Sequence, residues 1–230
     1  MISFFFLLLL FRWWEELGLG KRFNFARDRL MENFLWSAGM IIAPQDGKSR
    51  IFHTMVNALI TVIDDVYDVY GTLDELELFT DVVERWDINE IHRLPDYMKI
   101  YYHALYNSVN EMAFYTLKEQ GIDVIPFLKK LHELKRGDIP KSVQCYMYES
   151  GVSEEEAREH IRKLIDATWK KINEDQMAKL PFSRKFIEIS KNIARVSLLM
   201  YQNGDGHGIE DKETKDRVLS LFVHPISLPK

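Results

Sequence analysis

A single cysteine, Cys145, occurs in the 230 residues, so the chain cannot form an internal disulfide, and we expect a reducing compartment. An excess of positive charge is also missing, because 30 Lys and Arg stand against 35 Asp and Glu and the formal net charge is -5. We therefore expect no nucleic acid partner. No apolar run reaches the ~20 residues of a membrane-spanning helix, so we expect no stable membrane insertion. What remains, 47% hydrophobic and 28% charged residues, is the composition of a globular protein.

The first eleven residues, MISFFFLLLLF, form the most hydrophobic stretch of the chain. They have neither the basic leader nor the small-residue cleavage site of a secretory signal, and they lack the Arg and Ser content of an organelle transit peptide. We interpret residues 1–11 as a hydrophobic start that is foreign to the rest of the chain. Packing onto the body is the alternative, and membrane anchoring is the third. The remaining residues, 12–230, are predicted to form the functional domain.

Helical periodicity, interrupted by short Gly, Pro and Asn segments, predicts an all-α fold from residue 12 onward. Four of the predicted helices precede residue 121, over about 23–36, 53–70, 74–86 and 96–120. A last long helix is predicted over 183–202.

A further helix has the clearest start in the sequence, because Ser153 and Glu156 have the spacing of a capping box. Apolar residues follow at helical spacing, namely Ala157, Ile161, Leu164, Ile165, Trp169 and Ile172. We expect this apolar stripe to be packed as scaffold.

The stretch from His53 to Asp68 contains the residues that point to chemistry. Without its apolar residues, the polar ones that remain are Thr54, Asn57, Thr61, Asp64, Asp65 and Asp68. At ~100° per residue these six lie on one arc roughly 100° wide. Three neighbouring carboxylates at the end of a mostly apolar helix repel one another, and their oxygens suit a hard divalent cation such as Mg²⁺. We therefore favour a metal site over the alternative, a solvated acidic helix end.

The segment Asp64-Asp65-Val-Tyr-Asp68 resembles the DDxxD motif of class I terpene synthases. The flanking sequence, from Val56 to Phe79, resembles the plant members of that family, especially the monoterpene synthases. The resemblance extends over nearly all of residues 12–230 and implies a class I isoprenoid-synthase-type helical bundle, here a partial metal-binding domain.

The resemblance also implies a reaction. Family members are lyases in which Mg²⁺, with Mn²⁺ as an alternative, binds a prenyl diphosphate and stabilises the leaving diphosphate. The substrate would be geranyl diphosphate, converted through a carbocation to a terpene. Asp64 and Asp68 would be direct metal ligands, and Asp65 a weaker candidate that supports them.

Further site residues follow from the resemblance. Arg27 and Arg29 match the RxR motif, whose arginines hold the departed diphosphate; surface ion pairs are the alternative. Trp36 matches a pocket aromatic whose face stabilises a carbocation, and a core tryptophan is the alternative. Asn57 and Thr61 would face the substrate, although a hydrogen bond to a neighbouring helix is an equal alternative for Thr61.

Two more motifs lie towards the end of the chain. Tyr201 and Asp205 belong to a segment that resembles the family's capping loop, and they would line the pocket mouth as candidates for the final proton transfer. Glu133 matches the last ligand of the family's second metal motif, whose first two ligands are missing. The spacing from Asp68 to Glu133 is roughly half that of the family, so we predict an incomplete bundle from which several helices are deleted.

Three functions remain as hypotheses. The first is a terpene synthase, and the second is a non-catalytic remnant that lacks the second metal motif. The third is a prenyl chain-elongating enzyme, which ranks last because such enzymes have two aspartate-rich motifs and only one is found here. We expect a soluble intracellular protein. The resemblance implies a plastid location, although the sequence contains no transit peptide.

Overall fold

The computed structural model describes residues 4–126, 142–175, 183–202 and 212–223. Every regular element in these ranges is a helix, and none of the described residues lies in a strand, so the predicted all-α fold is confirmed. The chain divides into two compact units, which are described separately. The first consists of Met1–Glu133 and Asn192–Lys230, and the second of Leu134–Lys191.

The first unit contains most of the described helices. In chain order they are α1 (Phe4–Leu17), α2 (Leu19–Arg22), α3 (Leu30–Met40), α4 (Gly47–Asp65), α5 (Leu73–Arg85) and α6 (Asp96–Gln120). Short 3-10 helices, Pro44–Asp46 and Ile88–Arg93, precede α4 and α6, and a π-helical turn, Val66–Tyr70, follows α4.

Helix bounds agree best with the sequence where turn residues mark both ends. Pro95 precedes α6, and Gly121, with φ 69°, ends it, so Asp96–Gln120 is the range predicted. The helix predicted over 53–70 instead begins at Gly47 and changes to π-helical geometry after Asp65. The helix predicted over 23–36 begins only at Leu30, because residues 23–29 form tertiary contacts instead of helical turns.

The hydrophobic start of the chain is part of the body. One helix, α1, runs across the boundary predicted at residue 11, and its residues Leu7, Leu10 and Trp14 are buried in the core. The Phe6 ring lies so close to Gly47 that a Cβ there would come within 2.5 Å of Cε2, so the glycine lets α1 approach the start of α4. Helix α1 thus packs onto the body, as the alternative interpretation expects, and it crosses the boundary predicted at residue 11 without a break. The foreign origin of residues 1–11 stays a prediction. None of the helices in the described ranges is long and apolar enough to span a bilayer.

The core of the first unit surrounds α4. Leu59 and Val62 are almost completely buried, together with Phe79 of α5 and Tyr101 of α6. The Tyr101 hydroxyl donates a hydrogen bond to the Leu59 carbonyl at 2.9 Å, which ties the middle of α4 to α6. The middle of α4 is therefore fixed to α6, a short distance before the acidic end of α4.

The described part of the second unit includes α7 (Ser142–Ser150), α8 (Glu154–Asp175) and the first half of α9 (Arg184–Met200), whereas α10 (Lys212–Val218) belongs to the first unit. The predicted capping box is confirmed at the start of α8. Ser153 Oγ accepts the Glu156 N–H at 3.3 Å, and Glu156 Oε2 accepts the Ser153 N–H at 3.0 Å. The Ser153 hydroxyl also donates to Glu156 Oε2 at 2.8 Å, and this hydrogen bond, followed by that of the Ser153 N–H, lowers the pKa of Glu156.

The apolar stripe of α8 is not packed as predicted. Leu164 is 50% exposed and Ile165 is 41% exposed, and Ala157 is the one fully buried apolar residue among those described in this unit. The prediction was wrong because helical periodicity identifies an apolar face but does not supply an element to cover it.

Candidate functional site

The polar side chains of α4 face α3. Asn33 Nδ2 on α3 donates a hydrogen bond to Thr61 Oγ1 at 3.2 Å, and the Thr61 hydroxyl donates to the Asn57 carbonyl at 2.9 Å. Both Asn33 and Thr61 are buried. The Thr61 hydroxyl therefore takes part in helix–helix hydrogen bonding, which is the alternative interpretation of this residue.

A second contact between α3 and α4 centres on His53. Its Nδ1 lies 2.9 Å from Ser37 Oγ and 3.2 Å from Asn57 Nδ2. Burial lowers the pKa of His53 below 6.5, so the imidazole is neutral at neutral pH. Asn33, Ser37 and His53 were not identified from the sequence. The spacing of Asn33 and Ser37, four residues apart in an apolar helix, is the signal that could have identified them.

Asp65 and Arg27 form an ion pair with three short contacts. The Arg27 backbone N–H donates to Asp65 Oδ2 at 2.7 Å, while Nε and Nη2 lie 2.8 and 2.7 Å from Oδ1. The Asp65 side chain is 6% exposed and that of Arg27 is 35% exposed. Both carboxylate oxygens of Asp65 are thus directed at Arg27, which docks the arginine segment 23–29 on the end of α4.

The other two aspartates, Asp64 and Asp68, lie before and after the point where α4 changes from α-helical to π-helical geometry. Asp64 is half-buried in the last turn of α4, with Oδ1 screened from solvent, whereas Asp68 is exposed in the π turn. The Gly71 N–H donates to the Val66 carbonyl at 2.7 Å, which closes this turn over five residues. Because a π turn adds a smaller rotation per residue than an α turn, Asp64 and Asp68 are not aligned as ideal α-helical spacing predicts. π turns within helices often occur at functional sites.

The second arginine, Arg29, lies at the start of α3. It is the residue before Leu30, with φ -122°, and its side chain is half-buried. Asp28, between the two arginines, is exposed and accepts the Leu30 N–H at 3.4 Å. The RxR segment is therefore an irregular connection whose first arginine contacts the acidic end of α4 and whose second directly precedes α3.

Trp36 and Tyr201, which the sequence places far apart, are in contact. Their ring centroids lie 6.2 Å apart with an interplanar angle of 65°, an edge-to-face pair. Trp36 is half-buried and Tyr201 is exposed. The other two predicted site residues, Asp205 and Glu133, lie outside the described residues.

The donor set fits an open magnesium site better than a closed metal cage. Within residues 4–126, 142–175, 183–202 and 212–223, no three His, Cys, Asp or Glu side chains converge as a metal cluster would require. Mg²⁺ usually takes one or two carboxylates and fills its other positions with water and substrate phosphate. Asp64 and Asp68 are the two carboxylates that would fit this role.

Comparison with protein families gives two matches. Residues 15–134 match "Terpene synthase family, metal binding domain", and residues 131–171 match "Terpene synthase family 2, C-terminal metal binding". The first match covers more than half of the chain and includes α3, α4 and all three aspartates.

Relatives of known name include plant monoterpene synthases. The chain is 46% identical to (-)-alpha-terpineol synthase of Vitis vinifera over 297 positions, which cover 93% of this chain and 50% of that protein. It is 45% identical to the chloroplastic myrcene synthase of Quercus ilex, covering 95% of this chain and 50% of that protein. The chain therefore spans about half the length of the curated relatives it matches.

Solved structures show the same fold. Isoprene synthase from grey poplar, Populus x canescens, matches with a TM-score of 0.87 at 34% identity, covering 98% of this chain and 57% of that one. The same enzyme in complex with three Mg²⁺ ions and dimethylallyl-S-thiolodiphosphate matches with a TM-score of 0.86 at 34% identity, covering 97% of this chain and 58% of that one.

Proposed function

Because this chain belongs to the terpene synthase family, we propose that it ionises a prenyl diphosphate, namely geranyl diphosphate, in a Mg²⁺-dependent reaction that releases inorganic diphosphate. One observation carries the proposal. The arginine segment is docked on the acidic end of α4 by the three hydrogen-bond contacts between Arg27 and Asp65. Cationic and anionic groups are thus gathered at one end of one helix.

In this proposal the three aspartates have two tasks. Asp64 and Asp68 hold the metal, whose positive charge stabilises the leaving diphosphate. Asp65 holds Arg27, because both of its oxygens are directed at that residue. Arg29 contributes its charged guanidinium to the diphosphate, for which its planar fork of donors is suited.

The organic part of the substrate would be received by the aromatic pair. Trp36 presents a ring face that attracts a carbocation, and the edge-to-face contact with Tyr201 fixes the orientation of that ring. Tyr201 and Asp205 are proposed to take part in the final proton transfer, and Asn57 to face the substrate. Glu133 is proposed as the remaining ligand of the second metal motif.

A non-catalytic remnant is the second candidate, and the alignment to the Vitis vinifera relative favours it. The alignment runs over 297 positions, whereas 93% of this chain is about 214 residues, so about 83 positions inside the matched range have no counterpart here. A carbocation needs a cavity that excludes water, and missing helices would remove part of its wall.

Incubation of the purified protein with geranyl diphosphate and Mg²⁺ tests the proposal. We expect release of inorganic diphosphate and a volatile terpene, both lost in Asp64→Ala. Glu84→Gln, which changes an exposed carboxylate on α5, is the matched control and should retain the activity. Diphosphate release without a terpene product would indicate ionisation in an open site. A folded protein that releases no diphosphate would establish the remnant instead.

A further inference from the structure

Four aromatic rings connect the arginine segment to the π turn Val66–Tyr70, which carries Asp68 and is named the acidic turn. Phe23 and Phe25 lie in the arginine segment, Tyr70 ends the π turn, and Tyr97 lies in the first turn of α6. Each ring contacts two others, so the four form a closed quartet. We refer to these residues as the aromatic quartet.

The closest contact of the quartet is a parallel stack. The rings of Phe25 and Tyr70 have centroids 4.0 Å apart and an interplanar angle of 2°. The other three contacts are edge-to-face, at 5.5 Å for Phe23 with Phe25, 5.2 Å for Tyr70 with Tyr97 and 6.4 Å for Phe23 with Tyr97. Both geometries are favourable for aromatic rings, so the quartet is a specific arrangement.

The quartet is anchored differently on its two sides. Phe23 is 1% exposed in the core, and the Tyr97 hydroxyl donates to Glu75 Oε2 at 3.1 Å. The same Glu75 oxygen accepts the Thr72 N–H, two residues after Tyr70, and this hydrogen bond lowers the pKa of Glu75. Glu75 thereby connects the start of α5 to Tyr97 of the quartet. The Tyr70 ring is 53% exposed, so it lies at the surface and outside the core.

The arginine segment depends on such side-chain contacts. Residues 23–29 lie outside any regular helix, so their position is set by Phe23, Phe25 and Arg27. Phe23 in the core and Arg27 on Asp65 hold the segment to the body, and the stack of Phe25 on Tyr70 joins it to the π turn. The stack therefore links the position of the arginine segment to that of the turn that carries Asp68.

We propose that Phe25 and Tyr70 are positioning residues that keep the arginine segment and the acidic turn in a fixed relation, so that cations and carboxylates meet the diphosphate as one preformed site. This inference rests on the proposed function, because the ligand is the diphosphate of that reaction. In this proposal neither ring contacts the reacting atoms. They act through Arg29 and Asp68, the groups that flank the stack in sequence.

Calorimetric titration of the full chain with inorganic pyrophosphate in the presence of Mg²⁺ tests the inference. We expect Tyr70→Leu and Phe25→Leu to bind pyrophosphate about tenfold or more weakly, because small displacements of binding groups cost affinity steeply. Tyr70→Phe should bind as the original protein does, since within the described residues the Tyr70 hydroxyl makes no hydrogen bond and phenylalanine retains the stack. Tyr148→Leu, which removes a 92% exposed ring in the second unit, is the matched control. Equal affinity of Tyr70→Leu and the original protein would overturn the inference.

Limited trypsin digestion supplies a readout that needs no ligand. The fraction cut at the Arg29–Leu30 bond, measured by mass spectrometry, should rise severalfold in Tyr70→Leu and stay unchanged in Tyr70→Phe and Tyr148→Leu. An unchanged cleavage rate in Tyr70→Leu shows that the ring does not hold the segment and overturns the inference. If the original protein binds no pyrophosphate, the proposed function fails, and the digestion still decides whether the stack fixes the segment.

Discussion

Helices α4 and α8 both have an amphipathic sequence pattern, yet the two patterns lie in different environments. On α4 the polar residues Thr54 and Thr61 are buried and hydrogen-bonded, whereas on α8 the apolar residues Leu164 and Ile165 are largely exposed. In the first case partner helices surround the element, and in the second the described residues of the unit provide almost no core. The difference shows that periodicity defines the face of a helix, while burial depends on which other elements the chain contains.

The largest expected loss of stability tests whether α1 is packed in the core as α4 is. Leu10→Ala removes a side chain that is 0% exposed, and we expect the free energy of unfolding to fall by about 3 kcal/mol. Leu8→Ala, on the same helix but 52% exposed, should change it by less than about 0.5 kcal/mol. Urea unfolding followed by fluorescence measures both. Equal effects of the two variants would contradict the packing of α1 in the core.

The next effect concerns the ion pair at the end of α4. Asp65→Asn leaves the guanidinium of Arg27 without its carboxylate, and we expect a loss of about 2 kcal/mol, less than for a fully buried pair because Arg27 is 35% exposed. The control is Asp96→Asn, whose carboxylate is 96% exposed beside Lys99, and it should lower the free energy of unfolding much less than Asp65→Asn does. An Asp65→Asn protein as stable as the original would show that the arginine segment is not held by this contact.

A smaller effect depends on pH. Because burial lowers the pKa of His53 below 6.5, the unfolded chain binds a proton at mildly acidic pH that the folded chain does not. The free energy of unfolding should therefore fall as the pH is lowered from 6.5, and His53→Gln should reduce that slope. His103→Gln, at an exposed position of α6, should retain it. Urea unfolding of the original protein, His53→Gln and His103→Gln at several pH values measures the three slopes. A slope that His53→Gln leaves unchanged would show that His53 is not its source.

The smallest expected effect lies on the stripe of α8. Leu164→Ser replaces a side chain that is 50% exposed, so we expect a change of less than about 0.5 kcal/mol in the free energy of unfolding. Thermal unfolding of Leu164→Ser and of the original protein under the same conditions measures this change in stability. A loss as large as that of Leu10→Ala would mean that the stripe is covered in solution, and it would remove the contrast between the two regions.

Sequence reasoning was most successful where a local rule determines the outcome. The bounds of α6 follow from Pro95 and Gly121, and the start of α8 follows from the capping box of Ser153 and Glu156. Family membership was predicted from the DDxxD segment together with its flanking residues, and the all-α fold from helical periodicity; both predictions are confirmed.

The features that the sequence did not reveal depend on contacts between distant residues. The Arg27 backbone N–H binds Asp65, which removes residues 23–29 from α3, and periodicity contains no information on that pairing. The core position of Leu10 likewise depends on the approach of α1 to Gly47. The roles of Asp64, Asp68 and the remaining site residues stay predictions, since they concern a metal and a substrate.

The π turn at Val66–Tyr70 also bears on insertions and deletions. A turn closed from residue i to i+5 accommodates one residue more than an α turn, so removal of one residue here would leave ordinary α-helical closure rather than a broken hydrogen bond. In the interior of α4 the same deletion would rotate every later side chain by about 100° against the core. Loss of Val69 would therefore keep the turn closed and leave the spacing of Asp64, Asp65 and Asp68 unchanged, whereas loss of a residue between Asp65 and Asp68 would also move the carboxylates relative to one another.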